Sequence, residues 1–153
     1  MDKDWKVELA NFFEELRILR TSKQESLKDF DQFCEFVVEP AFESLEDELI
    51  QYGIKSKIIK IKGKSIAFQI NFGKSSISNF KYIIYLPKGS LNLRVKLKLR
   101  GRRTKKSEAK EEEVDFMEGI DPDDILDLDK EEIILDVIKK YRNFIYKSEA
   151  VME

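Results

Sequence analysis

The apolar residues of this 153-residue chain repeat with a period near 3.6 as far as Gly53. They then alternate one-in-two as far as Arg100, and return to a period near 3.6 after about residue 130. A helix buries one stripe and a strand buries every second residue, so this double switch prescribes helices, then a sheet, then a helix. At the N-terminal end Trp5, Leu9, Phe12, Phe13, Leu16 and Leu19 mark a first helix over about 4–20. Ser22-Lys23-Gln24-Glu25 has capping-box spacing and predicts a new helix start. The second stripe runs from Phe30 through Phe33, Cys34, Val37, Val38, Ala41, Phe42, Leu45 and Leu49 to Tyr52. Pro40 lies inside it, which predicts a kink or brief break near 38–40, and Gly53 supplies the stop.

Four strands are predicted: 54–61, 65–72, 79–86 and 91–100, separated by Gly63, the 73–78 stretch and Pro87-Lys88-Gly89-Ser90. Short links between successive strands imply an antiparallel meander with one apolar and one solvated face. Residues 101–121 show no period and read as a polar, acidic linker that need not be ordered. Asp121-Pro122 and Asp129-Lys130-Glu131-Glu132 carry helix-start chemistry, so the C-terminal helix falls within 122–147, its apolar stripe over about 130–147. The fold class is therefore a single α+β domain in two layers. A four-stranded antiparallel meander carries two N-terminal helices and one C-terminal helix on one face.

Charge follows the same three blocks. Residues 1–53 carry a net −8, residues 54–107 carry +16 with no acid at all, and residues 108–153 carry −10. The whole-chain value of −2 hides this segregation. The densest basic run is Arg94, Lys96, Lys98, Arg100, Arg102, Arg103, Lys105 and Lys106. Its first four members alternate with apolar residues, so they are expected on the solvated face of the last strand, about 7 Å apart. Such a row can follow a phosphate backbone and gain from counterion release. Tyr85 is expected on the same face as a stacking platform, because Phe80, Tyr82, Ile84 and Leu86 form the better apolar set. Two plainer roles compete: lysines that discourage edge-strand pairing, and internal neutralisation by Glu111-Glu112-Glu113.

Other chemistries find little support. The chain has no His and one Cys, which removes His-based catalysis, His-ligated metal and an internal disulfide. Cys34 sits in an apolar stripe and reads as a small core residue. The six glycines stand singly, so no phosphate-cradling loop is present. An RNA-recognition strand motif lacks its glycine and paired aromatics, and acids at 129, 131 and 132 oppose a phosphate-binding last helix. The acids at 121–129 miss the EF-hand pattern, with Leu126 or Glu132 where glycine is required. No cofactor or metal is expected. No secretory signal, spanning stretch, lipidation box or glycosylation sequon is found, and a cytoplasmic location is the expectation.

The expected function is a non-enzymatic binding or adaptor module that docks nucleic acid or another polyanion on its basic sheet face. The alternative is a protein-interaction or self-assembling domain, in which charge-separated surfaces or leftover helix stripe meet an acidic protein or a second copy.

Overall fold

The computed structural model describes residues 4–71, 79–89, 95–101, 110–114, 116–117 and 120–152. Helix α1 covers Trp5–Phe33, a π-helical segment Cys34–Val38 follows, and α2 covers Glu39–Ile50. The backbone keeps right-handed helical angles across both junctions, so one rod replaces the two expected N-terminal helices. Asp4 caps its start, accepting from the Lys6 N–H at 3.1 Å. The predicted restart at Ser22–Glu25 does not occur. Thr21 donates instead to the Arg17 carbonyl one turn back, and helix hydrogen bonding passes straight through. The break expected at Pro40 is also absent. The Glu39 N–H bonds to the Cys34 carbonyl five residues back, and this wider turn accommodates a proline that has no N–H of its own. The rod stops as predicted at Gly53, whose φ of +72° lets the Ile54 N–H reach back to the Leu49 carbonyl.

Five strands follow: β1 (Lys55–Ile61), β2 (Ser65–Asn71), β3 (Asn79–Tyr85), β4 (Lys96–Gly101) and β5 (Lys110–Val114). They form one antiparallel sheet in chain order. The meander is as expected, but it has five strands rather than four. The fifth comes from the stretch read as linker, and Phe116 just beyond it is buried, edge-on to Phe33 with ring centroids 6.1 Å apart. Positions 72 and 91–94 of the predicted strands lie outside the described residues. A 3-10 helix at Pro122–Asp127 precedes α3 (Lys130–Met152). Asp129 accepts from the Glu132 N–H at 2.9 Å, which is the predicted cap.

The inner face of the sheet is set by register. Ile66 lies opposite Ile84, which lies opposite Leu97, and Phe68 lies opposite Tyr82, which lies opposite Leu99. Phe30, Phe33, Val38, Ala41 and Phe42 of the rod and Ile133 and Val137 of α3 close over these residues. Phe42 contacts Phe68 and Tyr82 at 5.2 and 6.1 Å between centroids, and Phe80 stacks near Tyr141 and Phe144. Cys34 belongs to this core, where burial, reinforced by Asp31, pushes its thiol up to about 12. The β1–β2 turn is tied to α1 by the Gly63 N–H, which donates to Asp31 Oδ1 at 3.0 Å.

A polar contact crosses the core. Tyr82 donates from its buried hydroxyl to Asp136 Oδ2 at 2.5 Å, and Asp136 also meets Lys140 one turn on. Burial first, and then the Asp136 charge, push the Tyr82 phenol well above its ordinary range. A group whose folded pKa is raised contributes its stability in full below the unfolded value near pH 10, and loses it as pH rises further. Tyr82→Phe removes the hydrogen bond and should cost about 2 kcal/mol in denaturant unfolding at neutral pH. That difference should shrink above about pH 10; a Tyr82→Phe chain as stable as the parent would contradict this assignment.

Candidate polyanion-binding face

The alternation that sends Phe68 and Tyr82 inward sends every second residue to the opposite side of the sheet. Among the described residues that outer side shows three transverse rows. The first is Lys57, Gln69, Lys81, Arg100 and Glu111, one residue from each strand. The second is Ile59, Ala67, Ile83, Lys98 and Glu113. The third is Ile61, Ser65, Tyr85 and Lys96, and Lys55 stands beyond the first row on β1. Six cations thus share the described part of this face with two carboxylates. The helices pack on the other side, where the core residues converge.

Lys96, Lys98 and Arg100 therefore stand together on the outer face of β4, as the alternation predicted, and Tyr85 lies beside them while Tyr82 is buried. Arg94, Arg102, Arg103, Lys105 and Lys106 lie outside the described residues. Two further cations, Lys57 and Lys81, join Arg100 in one row and were not singled out from sequence. The signal for them existed: each alternates in phase with the outward residues of its own strand. Only the pairing register shows that they align with Arg100.

The acids of β5 meet this face at one edge. Lys96 Nζ lies 3.2 Å from Glu113, and Lys98 Nζ lies 3.5 Å from Glu111. Both pairs are about half-exposed, so each is worth about 0–1 kcal/mol. The Tyr85 hydroxyl donates to Glu113, and the Lys98 ammonium sits 4.5 Å from the centre of the Tyr85 ring. One face of that ring is therefore taken, and Tyr85 is a clamp on the β4–β5 edge rather than an open stacking platform. Hydrogen bonds from Tyr85 and Lys96 hold the Glu113 carboxyl below its usual range. Partial burial, the bond to Glu113 and the nearby carboxylates push the Tyr85 phenol up. Lys55, Lys57, Lys81 and Arg100 have no ion pair among the described residues.

Among the described residues no three Cys, Asp or Glu side chains converge as a metal site would require. No described helix is long and apolar enough to cross a membrane. No protein-family model, curated protein or solved structure matches this chain. The chemistry available on this face is electrostatic: a group of cations on the side of the sheet away from the core, around a buried Gln69 and Ala67.

Replacing Glu113 by Gln removes the carboxylate that opposes ionisation of Tyr85 and leaves an amide in its place. The Tyr85 phenol should then titrate closer to the ordinary value near 10, followed by its ring carbon resonance, with the other tyrosines unmoved. An unchanged Tyr85 titration would contradict the clamp.

Proposed function

We propose that this chain is a non-enzymatic binding module that docks a polyanion, nucleic acid foremost, on the helix-free face of its sheet. The observation that carries the reading is the row of Lys57, Lys81 and Arg100, which runs from β1 to β4 with Gln69 between the first two. With strands about 4.8 Å apart, that row spans about 14 Å without an acid until Glu111 at the β5 edge. Lys96 and Lys98 extend the field along β4. An extended row of this kind suits a run of phosphates, because its cations are spread across several strands.

Glu111 and Glu113 act in this reading as tethered competitors. They occupy Lys96 and Lys98 at the high effective concentration of an adjacent strand, so binding is held below what the cation count alone would allow. The reading is non-enzymatic because the chain lacks His and its single thiol is buried and protonated.

Binding to generic single-stranded RNA and duplex DNA should weaken as salt rises, with a logarithmic slope of about −0.7 to −0.9 for each phosphate neutralised. Lys57→Glu and Lys81→Glu should each weaken binding and reduce that slope by about one. Glu111→Gln with Glu113→Gln should release about 1 kcal/mol of internal pairing and tighten binding about fivefold. A fluorescence-anisotropy titration checks all three. No association at low salt by either the parent or the double Gln chain would overturn the proposal.

A further inference from the structure

Among the described residues, a long apolar surface is left open on α1, at the far end of the rod from the core. Trp5, Leu9, Phe12, Phe13 and Leu19 are between 42% and 65% exposed, although each belongs to the stripe that predicted the helix. Leu9, Leu16 and Lys23 fall on one position of a seven-residue repeat, and Trp5, Phe12 and Leu19 on its partner position. The same three-four spacing continues through Ser26, Phe30 and Phe33, which are buried. One continuous seam is therefore covered by the domain's own body from Ser26 onward, and exposed from Trp5 to Lys23 except at a half-buried Leu16.

We infer that the bare seam of α1 is an interface for a second copy of this chain, with the two helices antiparallel. The direction follows from where the body lies. Because the seam enters its own core at Ser26, Phe30 and Phe33, a parallel neighbour would meet that body beyond residue 26. An antiparallel neighbour puts the two bodies at opposite ends. Its bare length, 19 residues or about 28 Å, then matches the bare length it covers, and each N-terminus stops where the other body begins.

The side chains interlock about a two-fold axis at the height of Glu14. Leu9 faces the second copy's Leu19 and Phe12 faces its Leu16, each pairing occurring twice. Trp5, whose ring already carries the Lys6 ammonium at 5.7 Å from its centre, faces its Lys23. Phe13, which lies beside the seam rather than on it, faces its own counterpart. Glu14 and Arg17, which pair with each other, occupy the outer side of the helix. The flanks bring Lys6 towards Arg20 and Glu15 towards Glu15, like against like, so association is driven by apolar burial and opposed weakly by charge.

Light scattering coupled to size exclusion, on the full chain at micromolar concentration, should give a dimer. The dimer should persist or strengthen from about 0.1 to about 1 M salt, as screening removes the flank repulsion. Phe12→Glu with Leu16→Glu should give a monomer with the parent's circular dichroism at low temperature, since neither side chain is in the core, and a melting temperature that no longer depends on protein concentration. Leu9→Ser with Leu19→Ser is a milder pair with the same expected outcome, should the first variant fold poorly. Spin labels on Lys6→Cys should lie about 24 Å apart along the axis in the antiparallel dimer, against about 10 Å side by side in a parallel one. A monomeric parent, a dimer that survives both variant pairs, or the short label distance would overturn the inference. Polyanion binding tests a different surface, so either result leaves the other standing.

Discussion

The constraint on which the molecule depends is the register of its sheet. Strand residues alternate faces with a period of two, so the pairing of Phe68 with Tyr82 and of Tyr82 with Leu99 decides the side on which every cation stands. A slip of one residue in β4 would turn Lys96, Lys98 and Arg100 towards Phe42 and Tyr82, and send Leu97 into water. Burying even one lysine unpaired costs several kcal/mol, far more than a strand of five or six residues gains from any alternative pairing. The core and the charged face are thus two consequences of the same alternation. The polar contact from Tyr82 to Asp136 then fixes α3 over that register from the other side.

Where the alternation is strict the sequence was legible. The first three strands fall within a residue or two of their expected limits, and Tyr82 and Tyr85 take the sides their neighbours imply. β5 was not legible, for a physical reason. Lys110-Glu111-Glu112-Glu113-Val114 has a single apolar residue and is built from residues that disfavour strands. It is a strand because β4 offers free backbone groups and three outward cations, and Glu111 and Glu113 answer them in both geometry and sign. The helical rod erred in the other direction. Ser22–Glu25 has the spacing of a cap, but a capping pattern inside good helix formers does not compel a break. The π turn before Pro40 likewise removes the need for a kink.

The candidate site shows the same division. Lys96, Lys98 and Arg100 could be assigned to one face from β4 alone. Their alignment with Lys57 and Lys81 is non-local and depends on two further strand pairings. Their partial neutralisation depends on a strand that local propensity argues against. Charge blocks along the chain meet in the fold at two described places: the acidic edge strand is carried onto the cationic face, and Lys60 of β1 pairs with Glu39 of α2 at 3.1 Å. Two of the face's cations are engaged by carboxylates in half-exposed pairs of small individual worth, while Lys57, Lys81 and Arg100 have no ion pair among the described residues.

The most direct measurement of the account is a nuclear magnetic resonance titration with a short single-stranded oligonucleotide at low salt. Shifts should concentrate on Lys57, Lys81, Arg100 and the β4–β5 edge, with Glu111 and Glu113 leaving their lysines as phosphate arrives. Shifts confined to the helices, or a spectrum that does not change, would contradict it.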